Sequence, residues 1–139
     1  MRFTLSSDFA AASDVQQKVM AEVDRLGYCA AARFAINLSL EEAIINAIKH
    51  GNRFDLTKKI FVEVEINALR TRITIEDQGT GFDRTSVPDP RSEENLERCS
   101  GRGILLIEAY MNQVKWANHG RRVTMFRENR PDICPDGRP

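Results

Sequence analysis

The segment 30–50 constrains the fold of this chain most, because apolar residues occupy most of its helical circumference. They recur at helical spacing, at Ile36, Leu40, Ala43, Ile44, Ala47 and Ile48. One narrow polar stripe interrupts this surface at intervals of three or four residues, formed by Ser39, Glu42, Asn46 and Lys49. The pattern predicts a helix that is buried on most sides, ends at Gly51 and turns its polar stripe toward a cleft.

The remaining periodicities predict one strand and one helix before this segment and two pairs of strands after it. Residues 2–6 alternate as a strand, and Ser7 or Asp8 can cap a helix that runs to Leu26 and closes at Gly27. Strands are expected at 60–66 and 73–76, with a turn near Asn67, and at 113–117 and 122–127, with a turn at residues 118–120. A further helix is expected at 103–111.

The order of these elements is β-α-α-β-β-lid-α-β-β. It predicts an α+β fold, a two-layer α/β sandwich in which helices cover one face of a mainly antiparallel mixed sheet. Residues 78–103 lack periodicity and have the length of a functional lid or a disordered segment. We expect one domain at residues 1–127 and a flexible C-terminal tail at 128–139, which is polar and rich in Pro and Gly.

Composition excludes several classes of function. Lys+Arg and Asp+Glu balance at 20 each, so no strong field indicates nucleic acid or an anionic membrane as a partner. The three cysteines, Cys29, Cys99 and Cys134, are far apart and are interpreted as free thiols in a reducing compartment, without a zinc or disulfide framework. Neither a signal sequence nor a membrane-spanning segment is recognisable, and a cytoplasmic location is expected.

The polar stripe supplies two candidate chemical groups. A carboxylate in a cleft, Glu42, can act as a general base if it reaches the proton of a nucleophile. The amide oxygen of Asn46, one helical turn later, is a suitable ligand for Mg²⁺, which prefers a few protein oxygens together with phosphates and water. A solvated helix face with this spacing by chance remains the alternative for the helix alone.

Two glycine-containing loops follow the helix. Asp77 ends a strand before Gly79 and Gly81, and a buried carboxylate there can accept a hydrogen bond from a base amino group. Gly101-Arg102-Gly103 opens a helix, whose N-terminal amides are a natural phosphate site. Taken separately, each loop is also compatible with an ordinary turn.

The three pieces in this order resemble the Bergerat-fold ATP-binding superfamily, which includes DNA gyrase, heat-shock chaperones, histidine kinases and MutL. Within it, EAIINAIKHGN, IEDQGTGFD and GRGILLIEAYMNQV are similar to the bacterial anti-sigma-factor serine/threonine kinases, over about residues 5–127. The resemblance implies a cytoplasmic Mg²⁺- and ATP-dependent kinase. Such a kinase phosphorylates a small antagonist protein, sequesters a sigma factor and forms a homodimer, without direct contact with nucleic acid or membrane.

The resemblance also implies roles for individual residues. Glu42 matches the catalytic base and Asn46 the Mg²⁺ ligand. Asp77 matches the residue that reads adenine. The other matches to ATP-binding positions are Gly79, Gly81, Gly101, Arg102 and Gly103, and Lys49 is a candidate phosphate contact. One departure concerns the last strand, where family members often carry a threonine just after a glycine that supports the aspartate. Here Gly120 is followed by Arg121, and Thr124 comes later.

Two other functions remain compatible with the motifs. The same fold can act as a non-catalytic regulatory module that binds a partner when ATP is bound. It can also be the detached ATPase domain of a histidine kinase, although no dimerisation helix with a phosphoacceptor histidine precedes the motifs.

Overall fold

A five-stranded antiparallel sheet with a layer of helices on one face forms the fold. The computed structural model describes residues 1–80 and 100–131, except for the side chains of residues 100–102. The strands are β1 (Arg2–Ser6), β2 (Lys59–Ile66), β3 (Arg70–Asp77), β4 (Gln113–Ala117) and β5 (Arg122–Glu128). Their spatial order is β1-β2-β3-β5-β4, and all four neighbouring pairs are antiparallel. The predicted α+β class is confirmed, with a fully antiparallel sheet among the described strands.

Strand alternation separates a buried face of the sheet from an exposed one. Successive side chains of a strand point to opposite faces, and one set is buried under the helices, with members such as Leu5, Val62, Ile73 and Met125. The other face carries ion pairs, including Arg72 with Glu65 at 2.6 Å. The layer arrangement therefore follows from the period of two in the sequence.

Among the described residues, three α-helices cover the buried face. They are α1 (Phe9–Arg25), α2 (Ala30–Asn46) and α3 (Ser100–Tyr110). Asp8 caps α1 by accepting the Ala11 amide at 2.8 Å, and Gly27 with a φ of 73° follows its end, both as predicted. The α2 helix contacts α1, α3 and the sheet, which explains why apolar residues surround it. No helix in the described residues is long and apolar enough to cross a membrane.

The second helix changes type where a continuous helix to His50 was expected. Its α-helical part ends at Asn46, and a π-helical turn spans Ala47–Gly51. The Asn52 amide donates to the Ala47 carbonyl at 2.8 Å, five residues back, as a π-helix requires. A π-helical turn contains one more residue than an α-helical turn, and hydrophobic periodicity alone does not predict this extra residue.

The turns and the end of the chain agree with the sequence pattern in most places. Asn67 joins β2 to β3 by accepting the Leu69 and Arg70 amides, and the β4–β5 turn has positive φ at residues 118–120. Beyond the predicted domain end at 127, β5 continues to Glu128 and the Asn129 amide bonds to the Leu69 carbonyl at 2.9 Å. The expected lid, apart from its two ends, and tail residues 132–139 lie outside the described residues.

The buried Arg127 ties α3 to the sheet. Its guanidinium donates to the carbonyl of Tyr110, the last residue of α3, at 2.7 Å and to the carbonyl of Arg130 at 3.0 Å. A cation at a helix C-terminus is favourable because the unpaired carbonyls carry partial negative charge. The contact anchors the C-terminal end of α3, whose N-terminal end approaches the polar stripe of α2.

Candidate functional site

Asp77 ends β3 on the face of the sheet that the helices cover. Ile73 and Ile75 point toward the helices, and alternation places Asp77 next in that series. Its Oδ1 accepts a hydrogen bond from the Gly79 amide at 2.8 Å. Burial raises the pKa of the Asp77 carboxyl, while the Gly79 hydrogen bond and the charge of Arg121 lower it. The strand therefore presents a partly buried carboxylate at its end.

Two glycines make room for this carboxylate. A methyl group on Gly51 would lie 2.3 Å from Cγ and from Oδ2 of Asp77. A methyl group on Gly79 would lie 1.9 Å from the Gly51 carbonyl oxygen. Both distances are far inside van der Waals contact, so these positions require glycine. The sequence pattern predicts Gly79 as a site residue but predicts Gly51 only as a helix end, since the second role of Gly51 depends on a tertiary contact.

The side chain of Asn52 forms hydrogen bonds with three other segments of the chain. Its amide nitrogen donates to Ser7 Oγ and to the Lys59 carbonyl, both at 2.9 Å, and its Oδ1 accepts the Gln78 amide at 2.8 Å. Only 1% of its surface is exposed. Sequence reasoning missed it, because an asparagine after a helix-ending glycine is an ordinary turn residue. We call Gly51, Asn52, Asp77 and Gly79 the Asp77 corner.

The start of α3 lies against the polar stripe of α2. A methyl group on Gly103 would lie 3.0 Å from Glu42 Oε2, 3.0 Å from Asn46 Nδ2 and 3.3 Å from Asn46 Oδ1. Two motifs that are far apart in the chain therefore meet, as expected if both serve one ligand. We call Ser39, Glu42, Asn46 and Gly103 the Glu42 cluster.

The Glu42 cluster holds buried polar atoms that have no partner in the part of the chain that the structure describes. Ser39 Oγ and Asn46 Nδ2 are buried and have no hydrogen-bond partner among the described residues. Burial raises the pKa of Glu42, Glu41 adds to the rise, and the positive charge of Lys49 opposes it. A carboxylate with a raised pKa is a better proton acceptor. The cluster thus combines a potential base with unpaired polar groups, which in native proteins usually indicate a role or a ligand.

The other predicted site residues are placed in part. Lys49 is half-buried on the π-helical turn and acts electrostatically on Glu42. Gly101 and Arg102 belong to the first turn of α3, where backbone amides are unpaired and can bind an anion. Gly81 lies outside the described residues.

Thr124 does not supply the expected threonine beside Asp77. It points to the exposed face of the sheet, where its Oγ1 lies 3.3 Å from Thr74 Oγ1. The residue opposite Asp77 is Arg121, whose carbonyl accepts the Asp77 amide at 3.0 Å. An arginine on the β4–β5 turn therefore stands where family members often carry a threonine.

The arrangement can bind a nucleotide at two separate points. The Asp77 corner offers a carboxylate acceptor for a base, and the Glu42 cluster lies beside helix amides suited to phosphates. In the part of the chain that the structure describes, no group of three or more His, Cys, Asp or Glu side chains could hold a metal ion by itself. A cation bound here would share its coordination with phosphate oxygens, which is the usual case for Mg²⁺.

Several known proteins are similar to this chain. The family model of the histidine kinase-like ATPase domain matches residues 5–127. An anti-sigma F factor of Clostridium perfringens is 32% identical over 99 residues, covering 67% of this chain and 70% of that protein. The serine-protein kinase RsbW of Listeria monocytogenes is 29% identical over 110 residues, covering 74% and 70% respectively.

A solved structure has the same fold. The crystal structure of the RsbU and RsbW domains of a Mycobacterium tuberculosis protein matches with a TM-score of 0.61 and 17% identity. The match covers 94% of this chain and 33% of that one, so the present chain spans about a third of the Mycobacterium protein. At this identity the likeness establishes the fold.

Proposed function

Because the chain belongs to the histidine kinase-like ATPase family and, within it, to the anti-sigma-factor kinases, we propose that it is an ATP-dependent protein serine/threonine kinase and anti-sigma factor. The contact of Gly103 with Glu42 and Asn46 carries the proposal. It brings the helix N-terminus that would hold phosphates onto the carboxylate that would act as the base.

The Asp77 corner would bind the adenine ring. Oδ1 of Asp77 is occupied by the Gly79 amide, which leaves Oδ2 to accept a hydrogen bond from the exocyclic amino group of adenine. Guanine carries a carbonyl acceptor at that ring position, and acceptor would then face acceptor. The corner would thereby select ATP over GTP.

The phosphates would lie at the N-terminus of α3. Amides of Gly101 and Gly103 would donate to phosphate oxygens, and Arg102 and Lys49 would add positive charge. Asn46 fits a Mg²⁺ site, because its amide nitrogen is buried beside Gly103 without a hydrogen-bond partner among the described residues, and a half-turn of the amide would place Oδ1 there instead. A bound Mg²⁺ would neutralise phosphate charge during transfer.

Glu42 would act as the general base. The serine or threonine oxygen of the substrate protein attacks the γ-phosphorus, the bond from phosphorus to the β–γ bridging oxygen breaks, and ADP leaves. The hydroxyl proton passes to the Glu42 carboxylate. Burial favours this transfer because it raises the pKa of Glu42.

The partners are proposed from the relatives. The names of those relatives, anti-sigma F factor and serine-protein kinase, suggest a small antagonist protein as the phosphate acceptor and a sigma factor as the sequestered partner. A homodimer is also proposed. A gene for a small antagonist domain or a sigma factor beside the gene for this chain would support these assignments.

A phosphotransfer assay with γ-labelled ATP and the candidate antagonist tests the proposal. Glu42→Gln keeps the shape of the side chain but cannot accept a proton, so transfer should fall by about a hundredfold or more while ATP affinity is kept. Glu41→Gln, the exposed neighbour on the same helix, is the matched control and should retain transfer.

Each remaining outcome has a distinct meaning. Phosphotransfer by the Glu42→Gln variant at the wild-type rate would show that Glu42 is not the base. ATP binding without phosphotransfer by the intact protein would indicate a regulatory binding module. An acid-labile phosphorylated product would indicate histidine-kinase chemistry instead.

A further inference from the structure

Arg121 holds the Asp77 corner from the side of the β4–β5 turn. Its Nη1 donates to the Gly79 carbonyl at 3.3 Å, and its Nε donates to the Asn118 carbonyl at 3.1 Å. Its own carbonyl accepts the Asp77 amide at 3.0 Å. The backbone and the guanidinium of Arg121 therefore both engage the segment that forms the base side of the proposed site.

The turn that carries Arg121 is itself fixed. Asn118 and His119 have φ values of 54° and 57°, and Gly120 has a φ of 82°. Asn118 Nδ2 donates to Glu76 Oε2 at 2.7 Å, which ties the turn to β3. A long side chain gains most from its hydrogen bonds when the backbone that bears it is already positioned. This turn supplies such a platform for Arg121.

We infer that Arg121 is a positioning residue of the nucleotide site, which fixes the Gly79 backbone and places a positive charge beside Asp77. The inference rests on the proposed function, and it assigns to the arginine the support that family members often receive from a threonine. Arg121 would not contact the transferred phosphate. It would act through Asp77, and hence on affinity for ATP rather than on the chemical step.

The charge matters because Asp77 must accept a hydrogen bond. Oδ1 already accepts from Gly79, so a proton on Asp77 would settle on Oδ2 and turn the free acceptor into a donor. Burial and the neighbouring Glu76 raise the pKa of Asp77; the Gly79 hydrogen bond and the charges of Arg121 and Lys58 lower it. Arg121 thus extends the range of acidic pH over which the corner can bind adenine.

The test is the dissociation constant of ATP, measured from about pH 5 to pH 8 for the wild type and three variants of the full chain. Arg121→Gln keeps a donor but removes the charge. The pH at which binding weakens should therefore rise. Arg121→Lys keeps the charge but loses the planar fork; it should keep the wild-type midpoint and bind about threefold more weakly at every pH. Arg72→Gln, on the exposed face, is the control and should change neither quantity.

Other results overturn the inference. The inference is wrong if the pH midpoint of ATP binding is unchanged in Arg121→Gln. It is also wrong if the Gln and Lys variants bind ATP equally weakly without a shift of the midpoint, because an arginine with only a structural role behaves in that way. If Arg121→Gln fails to fold in thermal melts, Arg121→Thr also removes the charge, and the same upward shift of the midpoint is expected. If the wild type binds no ATP at any pH, the proposed function itself fails.

Discussion

The Asp77 corner and the Glu42 cluster are built in opposite ways. In the corner, polar groups are paired within the fold: Asn52 uses both its amide nitrogen and its oxygen, and Asp77 accepts the Gly79 amide. In the cluster, Ser39 Oγ and Asn46 Nδ2 are buried without a hydrogen-bond partner among the described residues.

This difference separates recognition from chemistry. The nucleotide base needs a hydrogen-bond acceptor that is already in position. The Asp77 corner is held by hydrogen bonds and backbone contacts, so it provides this acceptor before the ligand arrives. Phosphates and a cation bring their own polar atoms, so a cluster with unpaired groups gains partners only on binding. Substitutions that break the packing or the hydrogen bonds of the corner should therefore cost both stability and affinity. Those in the cluster should cost little stability.

Adding a methyl group to a glycine in each region should give the largest contrast. In Gly79→Ala the methyl would meet the backbone carbonyl of Gly51 at 1.9 Å, which cannot move aside cheaply. We expect a loss of about 3 kcal/mol in the free energy of unfolding. In Gly103→Ala the nearest atoms are the ends of the Glu42 and Asn46 side chains at 3.0 Å, and a smaller loss should follow.

Urea unfolding of both variants measures this contrast. Equal losses in the two variants would show that the corner is no more tightly built than the cluster. ATP binding should be abolished in Gly79→Ala and weakened in Gly103→Ala, because the second methyl enters the space beside the phosphates.

Removing the Asn52 side chain should have the next largest effect. Asn52→Ala leaves the Gln78 amide and the Lys59 carbonyl without their partner, at a cost of about 2 kcal/mol. Asn112→Ala, which removes one exposed hydrogen bond to the Glu128 amide, is the control and should cost about half as much. Denaturant midpoints distinguish the two, and a cost for Asn52→Ala no greater than for Asn112→Ala would contradict the role of Asn52 as a brace.

These residues also show what the sequence could and could not predict. The strands, the helices and the meeting of Glu42, Asn46 and Gly103 followed from periodicity and from the resemblance, because alternation and helical spacing are local properties. Gly51 and Asn52 were not recognised as part of the site, since their roles depend on the π-helical turn and on the approach of β3.

The sequence shows that Arg121 follows Gly120 where family members often carry a threonine, but it does not show what Arg121 contacts. Only the antiparallel register shows that Thr124 points to the opposite face while Arg121 lies across from Asp77. Register depends on turn geometry as well as on the strand pattern, and a shift of one residue exchanges the faces.

Replacing the carboxylate of the corner should separate affinity from stability. Asp77→Asn keeps an oxygen for the Gly79 amide but turns a donor toward the adenine amino group, so ATP should bind about ten- to a hundredfold more weakly. The folded protein should not be weakened at neutral pH. Burial raises the pKa of Asp77 in the folded state, so ionised Asp77 opposes folding, and the variant is free of that penalty.

The sign of the pH dependence follows. Below the ordinary Asp value of 3.8 the carboxyl is protonated in both the folded and the unfolded state, and it imposes no penalty. The penalty grows as the pH rises through the folded pKa, so the melting temperature of Asp77→Asn relative to wild type should increase from acid to neutral pH. A relative melting temperature that falls over this range would contradict the direction of the shift.

The smallest expected effect comes from the other region, at Ser39. Its hydroxyl is fully buried without a hydrogen-bond partner among the described residues, so Ser39→Ala removes a desolvated polar group and leaves almost no cavity. The ligand-free protein should gain up to about 1 kcal/mol, because a buried unpaired hydroxyl opposes folding. If Mg·ATP supplies the missing partner, the gain should shrink or reverse when melts are repeated with ligand. A loss of stability without ligand would mean that the hydroxyl is already paired. The contrast between a corner whose polar groups are paired and a cluster whose polar groups lack partners would then rest on Asn46 alone.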